Sequence, residues 1–415
     1  MAEQTVNKFT LDNGLRVLHK EDKATSLVWV NTLYKVGSCD ENVEKTGFAH
    51  LFEHLMFGGT PAEPNYDEPI QLAGGENNAF TVVDYTDYYV EIPACNVETA
   101  FYMEADRMKG LLFSPKSLEV QRHVVCEEFK ERCINQPYGD MQHLKMRAIF
   151  GLDHPYGWPT IGLKLKHIED ATLEDVKSFF YSHYAPNNAI LSVVGNISLD
   201  DTKRLVEKYY GAIPRRQIAV RNIPPVPVQT EPKYVEVERD VPFSFFSRAY
   251  HIGGMRTPDR VLADFVTDIL ANGKSSRVTQ RLVREKKLFT SANSFFSSKL
   301  EAGVLYFEGA FAEGTTPSLA DEAFDELIYE LQHEKISEYE AQKMRNKFEV
   351  GFIKNSFSRT DTASDLAIFE MLGDANDFYR QIEAYNKVTP EDAMSFSQRV
   401  FKDSNKTTLF YKSKK

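Results

Sequence analysis

The sequence predicts an α+β protein of two related domains, each a mostly antiparallel sheet with helices packed on it. Three observations carry this reading: strand and helix patterns follow one another through the first half, a proline-rich stretch interrupts them, and a strand-then-helix pattern recurs beyond it. A chain of 415 residues with 42% hydrophobic content can bury more than one core. The expected layout is an N-terminal domain over 1–212, a linker over 213–233 and a C-terminal domain over 234–415.

In order, Asn7-Lys8-Phe9-Thr10-Leu11 and Leu15-Arg16-Val17-Leu18-His19-Lys20 read as strands, with Asp12-Asn13-Gly14 between them as a hairpin turn. Residues 26–34 form a third strand. Residues 47–57 then carry Phe48, Leu51, Phe52, Leu55 and Met56 at helical spacing, closed by Gly58-Gly59. Two more strands follow, Ala79-Phe80-Thr81-Val82 and Asp87-Tyr88-Tyr89-Val90-Glu91-Ile92, then helical patterns over 96–112 and 117–133. A strand at 189–195 and an amphipathic helix over 200–210 complete the first half. Pro214, Pro224, Pro225, Pro227 and Pro232 mark the linker, because proline can continue neither a helix nor a central strand. Beyond it, residues 243–254 resemble the strand ending at Val36-Gly37, and residues 261–270 resemble the helix of 47–57. In that register Asp264, Thr267 and Asp268 stand opposite His50, Glu53 and His54.

His50-Leu51-Phe52-Glu53-His54 is the chemically informative stretch. On a helix the two histidines lie about 40° apart around the axis and Glu53 about 60° to the other side of His50, so all three share a face. Two imidazoles at this spacing can share one Zn²⁺, and a carboxylate beside them that is not a ligand can take a proton from water. This HxxEH order is the inverse of HExxH and is itself a catalytic zinc motif. A chance occurrence in such a composition is roughly a one-in-a-hundred event, and burying three polar side chains on so apolar a helix costs several kcal/mol unless a metal compensates them. A three-ligand site needs one more donor, and Glu127, Glu128 and Glu131 in the helix of 117–133 are the candidates.

Other classes recede. The net charge of −11 and the lack of a Lys/Arg cluster argue against a nucleic-acid partner. Cys39, Cys95, Cys126 and Cys133 show no CxxC spacing and read as free thiols. No 18-residue apolar run spans a membrane, and the N-terminus lacks the basic and apolar regions of a signal peptide. A cytoplasmic location is the expectation, or a periplasmic one if a signal peptide has been trimmed.

With these residues in view, the chain resembles the inverzincin peptidases of the pitrilysin and mitochondrial-processing-peptidase family, in its short two-domain branch. The resemblance runs through Gly47 to Thr60, Asn78-Ala79-Phe80-Thr81, His154-Pro155-Tyr156-Gly157, Pro186-Asn187-Asn188-Ala189 and Lys274-Ser275-Ser276-Arg277-Val278. It implies zinc bound by His50, His54 and Glu128, the last standing 74 residues beyond His54, with Glu53 as general base of peptide hydrolysis. It implies that Asn78, Ala79 and Phe80 pair with extended peptide substrates, and that the two halves face each other across a chamber. Many relatives carry a second-shell Glu seven residues before the ligand; Gln121 stands there and cannot supply that charge. Self-sufficient relatives also carry an Arg and a Tyr where this chain has Val283 and Thr290. The expectation is therefore the zinc-bearing subunit of a heterodimer with a homologous subunit that lacks HxxEH. A homodimer or monomer drawing on Arg277, Arg281 or Arg284 is the alternative, and a non-catalytic scaffold or assembly subunit of the same fold is the reading from another class.

Overall fold

The computed structural model of the chain describes residues 6–356 and 358–414. Its strands are β1 (Asn7–Thr10), β2 (Arg16–Glu21), β3 (Leu27–Tyr34), β4 (Glu76–Thr81), β5 (Thr86–Pro93), β6 (Ala189–Gly195), β7 (Lys233–Arg239), β8 (Phe245–Gly253), β9 (Phe289–Ser298), β10 (Ala302–Phe311) and β11 (Lys406–Ser413). Its α-helices are α1 (Phe48–Leu55), α2 (Asp67–Leu72), α3 (Val97–Lys109), α4 (Pro115–Phe129), α5 (Met141–Phe150), α6 (Leu165–Glu169), α7 (Leu173–His183), α8 (Leu199–Tyr210), α9 (Asp259–Leu270), α10 (Pro317–His333), α11 (Glu338–Asn355), α12 (Arg359–Leu372), α13 (Asp377–Asn386) and α14 (Pro390–Val400).

These elements form two compact units. One comprises Met1–Arg132, Trp158–Ile223 and Ile353–Arg380, the other Cys133–Gly157, Pro224–Phe352 and Gln381–Lys415. The chain passes between them at Ile223 and Pro224, inside the proline-rich stretch, which carries neither helix nor strand between Tyr210 and Lys233. Contiguous halves leave out two exchanges: α5 belongs to the second unit, where it packs on β11, and α12 belongs to the first, on β3 and β6. Amphipathic spacing tells that a helix has an apolar face and not which sheet that face will cover.

In the first unit a six-stranded sheet runs β1-β2-β6-β3-β5-β4, antiparallel except between β2 and β6. β3 is buried along nearly its whole length because both faces of the sheet are covered. Thr32 donates to Glu104 of α3 at 2.8 Å, while Asn31, pointing the opposite way, donates to Asp87, which also accepts from Ser364 of α12 at 2.6 Å. β4 lies at the sheet edge and pairs with β5 alone.

The second unit holds a five-stranded sheet, β7-β11-β8-β10-β9, with only β7 and β11 parallel. Strand for strand this is the order β2-β6-β3-β5-β4, and α9 follows β8 as α1 follows β3. Its core gathers Phe246, Phe289, Phe307, Phe311 and Phe324, the rings of Phe307 and Phe324 stacked with centroids 4.0 Å apart. Among the described residues no helix is long and apolar enough to cross a membrane.

Candidate metal centre

The helix that carries the HxxEH residues starts without a cap of its own. Gly47 occupies the N-cap with φ 89°, a left-handed conformation that costs glycine little, and offers no side chain to the free N–H groups. Glu41 supplies what is missing. Its Oε1 accepts from Ala49 N at 2.8 Å, and its Oε2 accepts from Gly47 N at 3.0 Å and from the Trp158 indole at 3.0 Å. Burial pushes the Glu41 carboxyl up to about 8, against three N–H donors that favour its ionised form. On the apolar side of α1, Phe52 is buried and stacks on Phe179 and Tyr184, which fixes the helix rotation.

That rotation turns His50 and His54 toward α4. Their Nε2 atoms lie 3.5 Å and 3.3 Å from the same oxygen of Glu128, with the two rings edge to face. Burial holds His50 down to about 4, so its imidazole is neutral. A hydrogen bond from His54 holds the Glu128 carboxyl below its ordinary range, so it is ionised. Neutral imidazole and free carboxylate are the states that bind a metal. Ligand atoms about 2.0–2.2 Å from a tetrahedral centre stand roughly 3.3–3.6 Å from one another, so the two separations fit a zinc ion. Among the described residues this is the one His/Cys/Asp/Glu cluster that could hold a metal, its donor atoms all within 4.8 Å of each other.

α4 explains why Glu128 rather than its neighbours meets the histidines. The helix begins at Pro115, capped by Ser114, and passes after Phe129 into a π-helical turn at Lys130–Ile134. Glu127 is exposed and paired with Lys130 at 2.7 Å, and Glu131 is exposed in the π turn. Arg132, from the same turn, lies 2.7 Å from the second oxygen of Glu128. Gln121 is half-buried two turns earlier on the same helix.

Glu53 stands outside the ligand cluster. Its Oε2 accepts from the Thr81 hydroxyl at 2.7 Å, and burial raises its pKa above the usual carboxylate value. Thr81 ends β4, the edge strand that carries Asn78, Ala79 and Phe80. Val82 N donates to Tyr85 O across the hairpin. Antiparallel alternation then directs the Asn78 and Phe80 amides to β5 and those of Asn77, Ala79 and Thr81 to the open edge. The Ala79 amide is met there by the side chain of Asn78 at 2.8 Å.

In the second unit, Thr267 donates to the Asp264 carbonyl at 3.0 Å, and Asp268 is paired with Lys347 at 2.8 Å. No histidine stands at these positions. Val283 packs against the core of that unit, and the exposed Thr290 donates to Ala310 O. Arg277 and Arg281 are both drawn to Glu330, whereas Arg284 is exposed.

Three residues that shape the centre escape a reading of the sequence: Glu41, Thr81 and Arg132. Arg132 stands four residues after Glu128, and that i, i+4 spacing of opposite charges is a signal that could have found it. Glu41 and Thr81 act across a loop and across a strand, where no periodicity points.

The chain is similar to known zinc proteases. Residues 16–148 match the family model described as insulinase, peptidase family M16, and residues 170–348 match the model described as the peptidase M16 inactive domain. The zinc protease PqqE of Helicobacter pylori is 29% identical over 419 residues, covering 97% of this chain and 92% of the relative. An uncharacterized zinc protease of Mycobacterium tuberculosis is 30% identical over 301 residues, 71% of this chain and 68% of the relative. The crystal structure of a protease from Helicobacter pylori superimposes with a TM-score of 0.92 at 27% identity, covering 99% of both chains.

Proposed function

The chain belongs to peptidase family M16, the insulinase family, and from that premise we propose that it is a zinc metallopeptidase that hydrolyses peptide bonds in peptides or unfolded segments. The observation that carries the reading is the convergence of His50, His54 and Glu128 on one point, with the separate carboxylate of Glu53 beside them. His50, His54 and Glu128 would hold the ion, and zinc supplies Lewis acidity that polarises a carbonyl and acidifies water. Glu53 accepts the proton of the attacking water and delivers it to the departing amine nitrogen. Its burial supports that role, because desolvation raises the carboxylate's affinity for a proton. Arg132 holds the second oxygen of Glu128, and the first would be the one to meet the ion.

Asn78, Ala79 and Phe80 receive the substrate as an added strand on β4. The outward carbonyl of Ala79, and its amide once the Asn78 side chain yields it, give main-chain hydrogen bonds that make little demand on side-chain sequence. The inactive-domain match, over residues 170–348, leaves out His50, Glu53, His54 and Glu128 and takes in Asp264, Thr267 and Asp268, so it does not count against catalysis in the first unit. A scaffold role is the second reading. Against it stands an intact ligand set with its base, which a scaffold does not require.

We also propose that the zinc-bearing chain works with a homologous subunit that supplies an Arg and a Tyr. Val283 cannot donate, Thr290 is occupied locally, and two of the three alternative arginines are held by Glu330. The test of the function as a whole is chelation and re-addition: the chain should lose turnover of a quenched peptide with its zinc and regain it with one equivalent. A metal-free chain that cleaves at the full rate, or a fully loaded one that cleaves no peptide with or without a partner, would leave the scaffold reading.

A further inference from the structure

We infer that Thr81 is a positioning residue for Glu53, the link through which a peptide strand lying on β4 acts on the base. The inference deepens the peptidase reading and rests on it for the role of Glu53. The geometry stands by itself: Thr81 Oγ1 donates to Glu53 Oε2 at 2.7 Å, between the last residue of the edge strand and a carboxylate on α1. Glu53 has a flexible side chain, and every rotamer it leaves costs a fraction of the entropy that a fixed base must give up. A hydroxyl donating to a charged acceptor is stronger than a neutral hydrogen bond, so it can select one rotamer. With Oε2 engaged, Oε1 is the oxygen left free to take a proton.

Thr81 is also two residues from Ala79, whose amide faces the open edge. A peptide that pairs there adds a second ladder to β4 and damps its motion, and Thr81 is carried on the same backbone. Threonine suits the post for a further reason: its branched Cβ restricts χ1 and keeps the hydroxyl in place on a strand. Alanine or valine at this position keeps the strand and loses the donor, so the two contributions separate experimentally.

The first experiment reads the carboxylate without activity. Crystal structures of the metal-free wild-type chain, Thr81→Val and Thr81→Ser should show Glu53 in one ordered rotamer in the wild type and in Thr81→Ser, and displaced or spread over several rotamers in Thr81→Val. An ordered Glu53 in its wild-type place in Thr81→Val overturns the inference. The second experiment uses the zinc-loaded chain with a quenched peptide. Thr81→Val should lower kcat on the order of 10-fold with KM and zinc content unchanged, and Thr81→Ser should restore most of the loss. A rise in KM alone, or a loss that serine does not rescue, also overturns it. If the wild type cleaves no peptide while Glu53 moves in Thr81→Val, the peptidase reading fails and the positioning role of Thr81 stands.

Discussion

Glu41→Ala tests how the metal helix is held. Glu41 is buried, and its two oxygens take three donors: the amides of Gly47 and Ala49 and the indole of Trp158. Alanine removes the acceptors and leaves all three donors behind. An unsatisfied buried donor costs about 1–3 kcal/mol, so the three together cost on the order of 3–6 kcal/mol after some of them find water. Glu41→Gln is the sharper variant. Its carbonyl oxygen can keep Gly47 and Trp158, while its NH₂ group then faces the Ala49 amide donor to donor, which should cost about 1–3 kcal/mol. Urea unfolding followed by tryptophan fluorescence measures both, and zinc affinity should fall with stability because Ala49 precedes His50 in the first turn of α1. A loss under about 1 kcal/mol for Glu41→Ala, with unchanged zinc affinity, would refute the capping argument.

The remaining predictions are these. Glu128→Gln should weaken zinc binding far more than Glu127→Gln, measured by competition with a chromogenic chelator; the reverse order would move the ligand by one residue. Asp87, buried between Asn31 and Ser364, is pushed up to about 7 by burial, so the folded chain keeps a proton there that the unfolded chain releases above about pH 4. Its contribution is therefore complete below about pH 4 and is lost as pH rises through 7, at a slope of at most about 1.4 kcal/mol per pH unit, and Asp87→Asn should flatten that part of the stability profile; an unchanged slope would contradict it. Co-expression with a relative that lacks HxxEH and keeps the Arg and Tyr should raise peptide turnover on the order of 100-fold over the lone chain, whereas full activity alone, indifferent to substitution of Val283 and Thr290, would dismiss the partner.

The parts of the fold that were legible in the sequence are those set by neighbours along the chain. The turn at Asp12-Asn13-Gly14 does join β1 to β2, the strand read at 189–195 is β6, and the apolar spacing of 47–57 is α1. His50, Glu53 and His54 share a face because helix geometry leaves no other choice. Glu128 needed the resemblance, since Glu127 and Glu131 fit a bare search for a third carboxylate equally well. What the sequence could not reveal is held together across distance. Asp87 and Ser364 meet because α12 crosses to the first unit, and nothing in its spacing says so. The helix expected over 117–133 gives way to a π turn after Phe129, and it is from that turn that Arg132 reaches Glu128. The cap from Glu41 lies in a polar loop of ordinary composition. In each case the pairing is decided by tertiary packing, which overrides local pattern.

The central claim is that His50, His54 and Glu128 hold zinc while Glu53 works beside them as the base. Zinc analysis and peptide turnover measured on the same preparation of Glu53→Gln test it most directly. The account predicts one zinc per chain, as in the wild type, and turnover lower by a factor on the order of 100 or more, because the substitution removes the proton acceptor and no ligand. Wild-type turnover in that variant, or loss of its zinc, would contradict it.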